Sequence, residues 1–152
     1  MSLHILAVGK KHESWVSEGI DRYQKRLKAP FISEWVLMAH SSLDGLRARQ
    51  DESERILSRL NAYDFIILLD ERGKQLDSPA FADTLKEQLD RSQKVVIIIG
   101  GAFGVNDELR DKADIVWSLS PLVFPHQLVR LILTEQLYRA QQITLGGSYH
   151  HE

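Results

Sequence analysis

Val95–Ile99 restricts the fold of this 152-residue chain more than any other stretch. Three β-branched residues, Ile97, Ile98 and Ile99, run straight into Gly100 and Gly101. Stiff branched side chains favour a strand. A strand with no polar alternation has no face to show water, so helices must cover both sides of its sheet.

The rest of the chain supplies those helices. Strands are predicted at Leu3–Val8, Phe31–Met38, Phe65–Leu69, Val95–Ile99 and Ile115–Leu119. Between them lie stretches of helical apolar spacing. Ser14 is expected to cap a helix to about Leu27, with Trp15, Ile20 and Tyr23 on one face. Residues 39–49 read as a polar loop, and Glu52–Leu60 as a short helix. Ser78 is expected to cap a helix with Pro79 at its first position, and Asn106 a short one ending near Lys112. Pro125 opens the longest helix, to about Gln141. Alternating strands and helices predict a single α/β domain over residues 1–152, three-layered, around a mostly parallel five-stranded sheet.

Composition narrows the chemistry. The chain has no cysteine, which excludes disulfides, thiolate metal sites and a thiol nucleophile. No apolar run approaches the roughly 20 residues of a membrane span, and MSLHILAVGK lacks the marks of a signal peptide. A cytoplasmic protein is the expectation. The formal charge of −2 is not that of a typical nucleic-acid binder. Even so, Gly9 to Lys28 carries six basic residues against three acidic ones, enough for a local basic face.

Ligands in such sheets bind beyond the carboxyl ends of the strands. Three loops there stand out: Leu69-Asp70-Glu71-Arg72-Gly73-Lys74, Gly100-Gly101-Ala102-Phe103-Gly104, and Leu119-Ser120-Pro121-Leu122-Val123-Phe124-Pro125-His126. A glycine pair after a strand has two readings, a bare turn or a ligand pressed against the backbone. The pattern is neither a phosphate loop nor the usual dinucleotide fingerprint. The third loop is too apolar for an ordinary exposed one and is expected to be buried or covered. It ends at a helix N-terminus, where free N–H groups favour an anionic group. Stiff apolar backbone beside open glycines suits a flat heterocycle.

LAVGK near the start, LDERGK, IIIGGAFG, WSLSPLVFPHQLVRLILTEQLYRA and the closing YHH together resemble the ribosomal large-subunit methyltransferase H family, of the SPOUT class. The resemblance covers nearly the whole chain. It implies S-adenosylmethionine as cofactor and a trefoil knot in the C-terminal half, about residues 65–143. It implies a homodimer that methylates N3 of a pseudouridine in 23S ribosomal RNA. It places the cofactor against Leu69, Gly100 and Leu119 through Phe124 (Leu119, Ser120, Pro121, Leu122, Val123, Phe124), with Gly101, Gly104 and His126 as neighbours. A side chain on Gly100 is then expected to collide with the cofactor. Candidate proton acceptors are His150, His126 and Glu135. Tyr149 is a candidate to stack on the base, and Arg130 and Arg139 to hold phosphate or stabilise charge on the ring. The family's tail usually carries Arg or Lys where this chain has His151, which weakens any phosphate contact there.

No metal is expected. The last helix is apolar on more than one stripe, from Leu128 to Ala140, as for a helix buried deeply or against a partner. Gly146-Gly147 reads as a hinge before the tail. Two other functions remain open at this level: a SPOUT enzyme acting on another RNA such as transfer RNA, and a non-catalytic ribosome-binding factor.

Overall fold

The computed structural model describes residues 2–151. Five strands, β1 (Leu3–Val8), β2 (Ser33–Met38), β3 (Phe65–Gln75), β4 (Val95–Ile99) and β5 (Ile115–Ser118), form one sheet of order β2-β1-β4-β3-β5. Every strand pairing is parallel. Strand β4 lies between β1 and β3 and all five of its residues are buried, which accounts for its unbroken apolar sequence.

The strands divide their side chains between two cores. Ile5, Ile67, Val95, Ile97 and Ile99 face one side, packed with Phe81, Leu85, Leu133 and Leu137. Leu6, Val8, Ile66, Leu68, Val96 and Ile98 face the other, packed with Ile56 and Leu109. On the first side lie α1 (Ser14–Gln24), α3 (Ser78–Asp90) and α5 (His126–Thr144), with α5 packed against both α1 and α3. On the second lie α2 (Gly45–Leu57) and α4 (Asp107–Lys112). Each fully buried leucine of α5, Leu133 and Leu137, is worth about 1.5–3 kcal/mol relative to exposure. No helix among the described residues is long and apolar enough to cross a membrane.

Several boundaries differ from the sequence expectation, each for a visible reason. Helix α3 is capped by Asp77, which accepts from the Ala80 N–H at 2.8 Å. Ser78 is drawn away because its hydroxyl donates to Gln136 Oε1 at 2.7 Å. Glu13, not Ser14, stands at the α1 N-cap, and its N–H donates to Gln127 Oε1 of α5. Helix α1 ends at Gln24, and Leu27 is buried beyond it. Helix α2 begins at Gly45, inside the stretch that read as a loop. Its inward face includes Glu52 and Ser53, so hydrophobic periodicity could not mark it. Strand β3 does not stop at Leu69. After an irregularity it rejoins β5 at Lys74 and Gln75, and Gly73 lies against the Val116 backbone, where a Cβ has no room.

The glycine pair near the end closes α5 in a Schellman arrangement. Gly146, at φ +73°, donates to Ile143 O, and Gly147 donates to Gln142 O. The expected hinge is therefore a defined reversal that turns the tail back along α5.

Candidate cofactor and catalytic site

A cavity of about 420 Å³ opens at the carboxyl ends of β4, β3 and β5, a size usual for small-molecule sites. Leu69 and the Asp70–Arg72 irregularity form one wall. Ile99 and the glycine loop through Val105 form the second. Leu119, Ser120, Leu122, Val123 and Phe124 form the third, and His126 and Val129 of α5 close the floor. Of the ten expected cofactor residues, nine line this one cavity. Pro121 is not in that lining, and it stiffens the loop between Ser120 and Leu122.

The apolar loop is not buried as expected. Leu122 is 68% and Val123 79% exposed, so the single chain leaves it uncovered. The backbone N–H groups of Val123 and Phe124 find no hydrogen-bond partner among the described residues. Spare donors beside apolar walls fit a heterocycle recognised through peptide groups, so the residues present suit an adenosyl cofactor.

The glycines act differently from one another. A Cβ on Gly100 would lie 3.0 Å from Val105 Cγ1, so a side chain there presses on the loop as well as on the cavity that Gly100 lines. A Cβ on Gly101 would lie 2.5 Å from Glu52 Oε1 and 3.2 Å from Val8 Cγ1. Glu52 is only 3% exposed. Its Oε2 accepts from the Ser41 N–H at 2.8 Å, and its Oε1 has no partner. Helix α2 grips the same loop elsewhere: Arg49 Nε donates to Phe103 O at 2.7 Å, and Ser53 Oγ accepts from the Asn106 N–H at 2.9 Å. Sequence reasoning missed α2 as a site element, because no apolar stripe announced it.

Gly101→Ala is expected to displace the Glu52 carboxylate. Overpacking of this kind costs about 1–3 kcal/mol. The variant should melt earlier and bind cofactor more weakly by calorimetry. A wild-type melting temperature together with wild-type affinity would contradict the close approach.

The ionisable groups differ in state. Burial raises the Asp70 pKa, but hydrogen bonds from Arg72 and Arg110 outweigh it, so the carboxylate is held below its ordinary value. Burial, then the Arg130 charge, lowers the His126 pKa, although part of the ring's surface stays open to solvent. Its place in the first turn of α5 also disfavours a positive charge. His126 therefore faces the cavity as a neutral imidazole.

Arg130 is no phosphate ligand. It is 1% exposed, and its guanidinium donates to the carbonyls of Val8, Gly9 and Lys11, with His12 Nδ1 at 3.2 Å. It ties the loop after β1 to α5.

The remaining catalytic candidates lie elsewhere. Arg139 pairs with Glu135 at 2.6 Å, and its guanidinium sits 4.7 Å from the Tyr149 ring centroid. Tyr149 donates to Glu135 Oε1 at 3.2 Å. Arg139 Nη1 lies 3.0 Å from His150 Nδ1. Arginine only donates, so His150 Nδ1 accepts and the ring proton sits on Nε2. Burial, then the Glu135 charge, pushes the Tyr149 pKa up to about 12, so it is a neutral donor at neutral pH. Glu135 also accepts from Gln136 and has little capacity left as a base.

None of these four lines the 420 Å³ cavity. His150 lines a second cavity of about 760 Å³, which shares Trp117, Leu119 and Phe124 with the first. The expected catalytic set is thus split in this chain, with His126 on one side of the third loop and the tail cluster on the other. His151 is exposed. Among the described residues, no group of three or more His, Asp or Glu is placed to hold a metal ion.

A family model described as "Predicted SPOUT methyltransferase" matches residues 1–150. A curated "Ribosomal RNA large subunit methyltransferase H" from Desulfitobacterium hafniense is 41% identical over 158 residues, covering 99% of each chain. One of the same name from Geobacter sulfurreducens is 43% identical over 155 residues, covering 99% of this chain and 100% of its own. Among solved structures, the SpoU methyltransferase AviRb from Streptomyces viridochromogenes in complex with AdoMet aligns with a TM-score of 0.47 and 16% identity, over 95% of this chain and 58% of that one.

Proposed function

This chain belongs to the family of predicted SPOUT methyltransferases, and from that premise we propose that it transfers a methyl group from S-adenosylmethionine to a base of large-subunit ribosomal RNA. The observation that carries this is the end-to-end match to relatives named for that activity. The finer target is N3 of a pseudouridine in 23S RNA, in the cytoplasm, as the sequence resemblance implies. The cofactor is held by Leu69, Gly100, Gly101, Gly104, Leu119, Ser120, Leu122, Val123 and Phe124.

When bound, the sulfonium supplies an electrophilic methyl group. The chain's own residues must orient the base and take up the weakly acidic N–H proton. Of the candidate acceptors His126, Glu135 and His150, only His126 lines the cavity, as a neutral imidazole. Tyr149 stacks on or hydrogen-bonds the base, and His150 of the tail is the other candidate proton acceptor. The test is methyl transfer from labelled cofactor to purified ribosomes. Label is expected in large-subunit RNA. Label confined to transfer RNA, or none with cofactor binding intact, would overturn the assignment.

The working unit is a homodimer in this proposal. The uncovered Leu122 and Val123 beside the cavity, and the half-buried outer residues of α5, are apolar surface of the kind that assembly covers. Sedimentation at micromolar concentration should give roughly twice 17.4 kDa. An active species sedimenting as a single chain would contradict it. The trefoil threading of residues 65–143 belongs to the same proposal. It is supported by the meeting of the 100–104 and 119–124 loops in one cavity.

A further inference from the structure

Two arginines line the cofactor cavity, and they are in different situations. Arg72 is held by Asp70, with Nε and Nη2 at 3.3 and 3.2 Å from its carboxylate oxygens, and Arg110 shares the same carboxylate. Arg49 has no carboxylate partner among the described residues. Its Nε donates to Phe103 O at 2.7 Å, and its two Nη atoms make no hydrogen bond or ion pair there. The bond to Phe103 fixes the guanidinium at the edge of the glycine loop. The outward fork stays available for a bidentate acceptor.

If the cavity takes S-adenosylmethionine, three chemical parts must be accommodated. Apolar walls and spare backbone donors suit the adenosine. Glu71 in the lining suits positive charge. The methionyl carboxylate needs a cation. We propose that Arg49 binds the carboxylate of the methionyl group of S-adenosylmethionine. This rests on the methyl-donor reading and adds the residue that recognises the cofactor's anionic end. An RNA phosphate would offer the fork similar chemistry. The carboxylate is favoured because Arg49 lines the cavity and is tied to its glycine loop.

The test is calorimetric binding to the full chain of S-adenosylmethionine and of its decarboxylated analogue, which keeps the adenosine, sulfonium and amine. Wild type should bind the analogue about tenfold more weakly, as for one partly exposed charge-assisted pair. Arg49→Gln should bind S-adenosylmethionine about as weakly as wild type binds the analogue, with analogue affinity unchanged. Equal affinity of wild type for both compounds would overturn the proposal without any variant. So would an equal loss for both in Arg49→Gln, which would make Arg49 a support of the loop. Unchanged cofactor binding with a raised KM for ribosomes would assign the fork to RNA phosphate and also overturn it. If wild type bound neither compound, the methyl-donor reading itself would fail, and the carboxylate assignment with it.

Discussion

Removing Ser148–Glu152 should lower single-turnover methyl transfer to ribosomes by about 10²–10⁴, the usual worth of positioned proton-transfer groups. Cofactor affinity should stay within a few-fold of wild type. The cut leaves Gly146 and Gly147 in place, so the hydrogen bonds that close α5 survive and the fold should be spared. The tail is not loose, despite the default for a terminus. Tyr149 packs edge-on against Tyr138 at 4.9 Å and donates to Glu135, while Arg139 holds His150. That pose lies behind the Trp117-Leu119-Phe124 wall and does not cover the chain's own cofactor cavity. In the proposed dimer the tail serves the partner's cavity. Mixing tail-deleted chains with chains carrying a blocked cofactor cavity should therefore restore activity to part of the population. A truncated protein transferring methyl within about threefold of wild type, well short of the expected loss, would return the tail to a structural role.

Arg130→Ala should destabilise the chain by about 3–5 kcal/mol, combining lost charge-assisted hydrogen bonds with the void left behind. The carbonyls of Val8, Gly9 and Lys11 would lose their donor in a buried setting. At this chain length each kcal/mol moves the melting temperature by about 2–4 °C. Arg130→Lys should recover only part of the loss, because an ammonium cannot reproduce the planar fork that spans both turns of the loop. Chemical denaturation checks both variants. A loss below about 1 kcal/mol for Arg130→Ala would show that water replaces the guanidinium, and would reopen Arg130 as a surface cation.

The contrast between Arg130 and Ile97 shows what the amino-acid order made legible. Ile97 and its neighbours are apolar because both sheet faces are covered, and that pattern repeats along β1 and β3. Strand order could not be read, since β4 inserts between β1 and β3 through contacts far apart in the chain. Polar residues misled wherever their partners were distant. Arg130 looked like a phosphate ligand, but its partners lie about 120 positions away. Ser78 looked like a cap, but Gln136 takes its hydroxyl. Helix α2 was half hidden because Glu52 and Ser53 point inward at the glycine loop. The three loops that meet in one cavity were legible, because stiff prolines and bare glycines after buried strands are local signals. The placing of Tyr149 and His150 against Glu135 and Arg139 was not, because it follows from the reversal at Gly146.

The most direct test of the methyltransferase assignment is mass mapping of 23S ribosomal RNA from otherwise identical cells with and without this chain. The expected result is one pseudouridine-containing fragment lighter by a single methyl group when the chain is absent, restored by wild type and not by the tail-deleted form. Identical fragment masses from both strains would contradict it.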